Sequence, residues 1–249
     1  MQLVADLHIH SISSGHAYST ILEIARAAES RGLAMIAITD HGPAMSGGPD
    51  LYHFGNLSVL PPEISGVRVL AGVEANITDR DGGLDLPERL LRKLDIVLAG
   101  MHYQCSPEGT TEQNTQAVIR AMENPFVDII VHPGNPEFLV DPVAVVEASK
   151  RLGVAIEINN SSLGVARKGS APHCLNIAGL AAEQGCPLVI GSDSHFAYHV
   201  GRFEDAIELC LKAGVKEEQI INTSVEKVNR YLDLRRQLRT PEQPIIYQK

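Results

Sequence analysis

Seven apolar runs punctuate the chain, beginning near residues 3, 34, 67, 94, 127, 154 and 186, one every 27 to 33 residues. LVADLHIH, LAMIAITDHG, VRVLAGVEAN, LDIVLAGMH, VDIIVHPG, VAIEINNSS and CPLVIGSDSH have the length and continuous apolar character of buried strands. Helical signals lie between them. Thr20 precedes ILEI with Glu23 three residues on, a capping box, and apolar residues at 21, 24, 25 and 28 share one helix face before Gly32. Residues 86–93 predict a short helix and 110–124 a longer one. Asp141 is placed as an N-cap with Pro142 at the first helical position and Gly153 as the stop. Residues 171–185 and 201–214 continue the alternation, and 217–222 add one more turn. VEKVNRYLDLRRQL predicts a terminal amphipathic helix. The period is one βα unit per strand.

Two stretches break the rhythm. Residues 42–62, with Gly47-Gly48, Pro49, Tyr52-His53-Phe54 and Pro61-Pro62, are expected to be a long loop, and a loop of that length is functional or disordered. TDRDGG at 78–83 predicts a turn or small hairpin. The expected organisation is one α/β domain over residues 1–240, then an extended tail, 241–249, carrying Pro241 and Pro244.

Composition narrows the class. With 249 residues, 44% hydrophobic and 20% charged, the chain can bury a full core. A formal net charge of -9 argues against nonspecific nucleic-acid binding, which needs Lys and Arg to neutralise phosphates. Aromatic content of 4% without Trp speaks against a base-stacking platform. With no basic-plus-apolar leader and no 18-residue apolar run, the expectation is a soluble cytoplasmic protein without a membrane partner. Cys105, Cys174, Cys186 and Cys210 form no CxxC and are expected to be reduced.

The ends of the runs carry the candidate chemistry. His8 and His10 lie on one side of the first strand by its period of two. Alone, that HxH suits a metal pair or an exposed polar strand equally. His41, Glu74, His102, His132 and the Asp193–His195 pair then follow five further strands, and His16 lies just beyond the first. Seven of the ten histidines are in this set, with His53, His173 and His199 outside it. Imidazole nitrogens with carboxylate oxygens suit Zn²⁺, Mn²⁺ or Fe²⁺ and not Ca²⁺. Nine candidate ligands exceed what one ion uses, so two or three ions are implied, with Glu74 as the natural bridge. An open doubly wound sheet gathers ligands at one crevice, whereas here they follow six of seven strands. A closed seven-stranded ring explains them better, and no GxGxxG or Walker A pattern supports the open alternative.

Taken together, DLHIHS, TDHG, GVEAN, GMHY, VHPGN, EINNSS and GSDSH resemble the polymerase-and-histidinol-phosphatase (PHP) family, and within it the YcdX-type probable phosphatases. The resemblance spans residues 3–235. It implies a distorted (βα)7 TIM-like barrel with a trinuclear zinc-type centre at its C-terminal mouth, and a homotrimer. By motif, it implies one ion held by His8, His10, Glu74 and Asp193. A second falls to Glu74, His102 and His132, and a third to His16, His41 and His195. Asp6 and Asp40 are expected to stand behind the ligands, where a carboxylate beside an imidazole fixes its tautomer. His53 and His199 are either outer groups of the site or structural.

Such a centre suits hydrolysis of a small phosphorylated metabolite, a phosphate monoester, by metal-activated hydroxide, with Glu74 and Asp193 as the central carboxylates. Arg167, in the Gly-rich loop with Lys168, is either a phosphate contact or part of a solvated basic pair. Ser161, Ser162 and Ser194 lack a base–orienter set and are not expected to be nucleophiles. The 42–62 loop, with Tyr52 and His53, is expected to cover part of the site. A metal-dependent amide or ester (lactone) hydrolase, a phosphodiesterase or nuclease, and a non-catalytic metal-binding protein remain alternatives. The general acid and the physiological substrate stay open.

Overall fold

The seven apolar runs are the seven parallel strands of one sheet. The structure, a computed structural model, describes residues 1–239, so the expected tail at 241–249 lies outside the described residues. The order is β1 (Ala5–Ile9), α1 (Ile21–Ser30), β2 (Met35–Ile38), α2 (Leu51–Asn56), β3 (Glu63–Ile64), β4 (Val67–Asn76), α3 (Glu88–Leu91), β5 (Ile96–Gly100), α4 (Thr111–Glu123), β6 (Ile129–Ile130), α5 (Pro142–Leu152), β7 (Ala155–Asn159), α6 (Ser170–Gln184), β8 (Leu188–Gly191), α7 (Glu204–Lys212) and α8 (Val225–Arg239). Neighbours run β1-β2-β4-β5-β6-β7-β8, and β3 adds a short antiparallel partner to β4. The caps form as their residues dictate. Thr20 and Glu23 make a reciprocal capping box, Asp141 accepts from Val143 and Ala144, and Gly153 ends α5 in the left-handed conformation.

The 42–62 segment is less of a loop than its punctuation suggests. Asp50 accepts from the Tyr52 N–H and starts α2, and Phe54 is buried beneath it. Ile77 and Leu84 bridge antiparallel, closing the small hairpin expected at 78–83. Among the described residues no helix is long and apolar enough to cross a membrane.

Two apolar layers follow from strand alternation. Leu7, Leu70, Leu98, Ile129, Ala155 and Val189 pack with one another inside the ring. Ile9, Val73, Val97, Ile130, Ile156 and Ile190 pack outward under the helices. In β1 the register to β2 slips between Asp6 and Ile9. The slip shifts the inward phase, so that Leu7 fills the interior while His8 and His10 face inward at the mouth.

The ring closes between β1 and β8 at two levels. At the mouth, His10 N–H donates to Ser194 O at 2.9 Å. Lower down, buried Asn222 stands between the strands. Its Nδ2 donates to Ala5 O and Ile190 O at 2.8 Å each, and its Oδ1 accepts from Ile190 N–H at 3.2 Å. One side-chain amide thus supplies bonds that a direct strand ladder would otherwise make. At the opposite end α8 plugs the barrel. Val228 and Leu232 join the interior layer. Tyr231 Oη donates to Asp128 O and accepts from Ala155 N–H. Buried Arg239 pairs with Asp128 at 2.6 Å, and Arg235 donates to Val127 O and Leu152 O.

Candidate metal centre

All nine candidate ligands converge at the C-terminal mouth of the ring, although they come from segments as far apart as His8 and His195. His8, His10, His41, Glu74, His102, His132 and Asp193 are buried; His195 is half-buried and His16 exposed. The tightest group is His8, His10, Glu74 and Asp193. His8 Nε2 lies 3.1 Å from His10 Nε2, 3.4 Å from Glu74 Oε2 and 3.6 Å from Asp193 Oδ1. His10 Nε2 is 3.3 Å from Glu74 Oε2 and 3.4 Å from Asp193 Oδ1. A tetrahedral zinc with bonds of about 2.0–2.1 Å has ligand–ligand edges of roughly 3.3–3.4 Å. These five separations bracket that value. Glu74 Oε2 and Asp193 Oδ1 are also buried without a hydrogen-bond partner, a costly arrangement that a cation would relieve. The donor set therefore fits a zinc-type ion.

A second group uses the other carboxylate oxygen. Glu74 Oε1 lies 2.9 Å from His102 Nε2 and 2.7 Å from His132 Nε2, and the two imidazole nitrogens are 3.2 Å apart. The third expected group is looser. His16 Nε2 and His195 Nε2 approach to 3.0 Å, but His41 turns its Nδ1 to within 2.8 Å of Glu74 Oε2. His41 is within common ligand range both of His10 with His195 and of Glu74 with His102, so it stands between groups. Two of the candidate ligands have left-handed backbones, His132 at φ 36° and Asp193 at φ 53°. Such strain in non-glycine residues clusters where a side chain must be aimed.

The strand expected to contribute nothing contributes a carboxylate. In β7, Ala155, Glu157 and Asn159 share the inward face. Glu157 Oε1 lies 2.7 Å from His8 Nδ1, and Oε2 accepts from His132 N–H at 3.0 Å and Asn159 Nδ2 at 3.0 Å. Gly191 on β8 makes the room, because a Cβ there would run into Glu157 Oε1 and lie 3.0 Å from His8 Cβ. The sequence signal was present as a lone Glu inside a buried apolar run, in phase with Asn159. Glu157→Gln keeps the volume but removes the charge behind His8. Metal affinity is expected to fall about 10- to 100-fold, measured by chelator competition. Unchanged affinity would mean that Glu157 does not orient His8.

That role had been expected of Asp6, and here the structure differs. Asp6 touches no ring nitrogen. Its carboxylate accepts from Ser192 N–H at 3.2 Å and Gly201 N–H at 2.8 Å, tying β1 to β8 and the 201 turn, and burial pushes it up to about 6. Asp40 acts at one remove. It accepts from Ser11 N–H, Ser11 Oγ and Ser14 Oγ, all at 2.7 Å, and Ser14 Oγ lies 3.1 Å from His10 Nδ1. Despite burial, contacts from His53, Ser14 and His10 hold Asp40 down at about 2.

The electrostatics follow from burial set against charge. Burial disfavours a proton on His8, but Glu157, Glu74 and Asp193 outweigh it and raise its pKa well above the ordinary value. These carboxylates favour a proton on His8 in the ion-free protein, and a cation ligated there would displace it. Burial lowers His132 and His195 to about 4, leaving them neutral and ready to ligate. Glu74 and Asp193 stay ionised, because the surrounding imidazoles, joined at Asp193 by Arg167, outweigh their burial.

Above the cluster opens a cavity of about 590 Å³, lined among others by Tyr103, Gln104, Glu137, Arg167 and His199. Arg167 Nη1 donates to Asp193 Oδ2 at 2.8 Å and to Ser162 Oγ at 3.2 Å, which also fixes Asp193 from behind. Lys168 and His173 are exposed and do not line the cavity. From the 42–62 segment only Met45 lines it; Tyr52 is 80% exposed, and His53 Nε2 lies 3.5 Å from Asp40. All four cysteines are free thiols.

Comparison with known proteins places this geometry in a family. A family model described as the PHP domain matches residues 6–135. A relative from Caldanaerobacter subterraneus subsp. tengcongensis, named "probable phosphatase", is 53% identical over 237 residues, covering 95% of this chain and 93% of that protein. One from Acetivibrio thermocellus, with the same name, is 52% identical over 93% of this chain and 96% of its own. The fold is similar to that of histidinol phosphate phosphatase from Lactococcus lactis subsp. lactis Il1403, solved with zinc, L-histidinol and phosphate. The TM-score is 0.60 at 17% identity, over 85% of this chain and 94% of that one.

Proposed function

The chain belongs to the PHP domain family, and from that premise we propose that it is a metal-dependent phosphatase acting on small phosphate monoesters, at a centre of about three zinc-type ions. One observation supports this reading above the others. The two oxygens of Glu74 face two different sets of imidazoles, Oε2 toward His8 and His10 and Oε1 toward His102 and His132. A carboxylate so divided is what a multi-ion hydrolytic site requires. The names of the relatives agree with its phosphatase part.

His8, His10, Glu74 and Asp193 would hold one ion and Glu74, His102 and His132 a second, with His16, His41 and His195 available to a third. Bound ions of this kind lower the pKa of water and offset charge on a phosphoryl group. The remaining work falls to the chain. Glu157 and Ser14 hold the tautomers of His8 and His10. Arg167, with Nη1 committed to Asp193 and Ser162, offers Nη2 to a phosphoryl oxygen entering through the cavity. Tyr103, Gln104 and Glu137 line the path that the alcohol portion of the ester would occupy.

The test is a panel of phosphate monoesters assayed with added Zn²⁺ or Mn²⁺, alongside elemental analysis of the purified protein. Turnover of monoesters with two to three ions per chain is the expected result. Faster cleavage of a bis-aryl phosphate would shift the activity to phosphodiesters. Lactone or amide turnover without phosphatase activity would overturn the reading, and at most one ion after reconstitution would remove the multi-ion centre.

A further inference from the structure

A second concavity, of about 580 Å³, lies outside the barrel mouth between α1 and residues 196–202. Arg26, Arg31 and Arg202 edge it, and all three are exposed. Arginine ion pairs among the described residues involve Arg92, Arg120, Arg167, Arg235, Arg236 and Arg239. Among the described residues none of these three guanidiniums forms such an ion pair, although Glu23 interacts electrostatically with Arg26 across the groove wall. Glu23 lines the same groove, but its Oε2 accepts from Thr20 N–H at 2.7 Å and Thr20 Oγ at 2.8 Å in the helix cap. Arg31 is held in place by donating from Nη2 to Tyr198 O at 3.1 Å.

The groove also gathers aromatic surface in a chain poor in it. Phe196 is 41% and Tyr198 73% exposed, with ring centroids 5.1 Å apart at 62°. Three guanidiniums beside two exposed rings match a ligand that has both phosphate and an aromatic face. The volume is within the roughly 300–1,000 Å³ of small-molecule sites. We propose that this groove is a second binding site for a phosphorylated aromatic ligand of the nucleotide class, with phosphate on Arg26, Arg31 and Arg202 and the ring against Tyr198 and Phe196.

The groove wall is tied to the candidate metal centre. Residues 196–202 follow His195 directly. Ser194 Oγ donates to Phe196 O at 2.8 Å, Ala197 N–H donates to Ser19 Oγ at 2.9 Å, and Gly201 N–H donates to Asp6 at 2.8 Å. Tyr198 lines the groove while His199, one residue on, lines the barrel mouth. A ligand in the groove would therefore contact the segment that follows His195 directly in the chain.

The test is calorimetric titration of the full-length, zinc-loaded protein with adenosine 5′-(α,β-methylene)diphosphate, which resists hydrolysis, and with inorganic pyrophosphate. Arg26→Ala/Arg202→Ala should weaken both probes at least about tenfold, as loss of charge-assisted contacts to phosphate requires. Tyr198→Ala should weaken the nucleotide and leave pyrophosphate unchanged. All three positions are exposed, and a thermal melt checks that the variants fold. No binding at millimolar probe would overturn the site. So would binding that survives the double arginine change but is lost in Arg167→Ala, since the probe would then sit at the mouth. A short oligonucleotide that binds more than about tenfold tighter would reassign the groove to a polymer.

Discussion

Glu74→Gln is expected to abolish most turnover and to cost the protein at least one bound ion per chain, although glutamine has almost the same volume. The reason is the division of labour between its oxygens. Oε1 lies 2.7–2.9 Å from the His132 and His102 nitrogens, and Oε2 lies 2.8–3.4 Å from those of His41, His10 and His8. A carboxamide has one acceptor oxygen and one NH2 group, so whichever way it turns, one set of imidazoles meets a donor where an anion stood. The loss in turnover should exceed the roughly 10- to 100-fold expected for a group that only orients a ligand, such as Glu157. The control is His53→Ala, which removes a ring 3.5 Å from Asp40 and outside the cluster. Metal content by elemental analysis and turnover of an aryl phosphate give two independent readouts. Equal, small losses for the two variants would remove Glu74 from the bridging role.

Asn222→Ala should be the most destabilising of the changes considered. It leaves Ala5 O, Ile190 O and Ile190 N–H buried without the partner that Asn222 supplies. At about 1–3 kcal/mol for each of the three unsatisfied groups, a loss of at least about 3 kcal/mol is expected. That is a large share of the roughly 5–15 kcal/mol by which a typical domain is stable. The seam it opens lies between the strands leading to His8 and His10 on one side and Asp193 and His195 on the other, so metal affinity should fall with stability. Urea unfolding of the loaded and chelated protein measures both. A loss under about 1 kcal/mol would show that the seam is held by other contacts, with water replacing the amide.

Much of this was legible from local patterns. Continuous apolar runs give buried strands, Thr20 with Glu23 and Asp141 with Pro142 give helix starts, and histidines at run after run point to one mouth. Each depends on neighbours within a few residues, which is the range over which period and capping act. Glu157 was harder to see. It interrupts a buried run, but its partner His8 is 149 positions away. Its phase with Asn159 marks it, but nothing in VAIEINNSS names the imidazole that it meets. α2 was hidden for a different reason: six residues between glycines and prolines leave too short a period to read, and burial of Phe54 makes it helical.

The sequence by itself determined the alternation of strands and helices, the parallel sheet, and which residue types collect at the strand ends. Tertiary structure decided how those ends are used. The slip in β1 aims His8 and His10 inward, Gly191 leaves space for Glu157, and Asn222 closes the ring that brings Asp193 to within 3.4–3.6 Å of both histidines. Local propensity acts along the chain, whereas register, clearance and closure are relations between strands, and these exist only once the strands have packed.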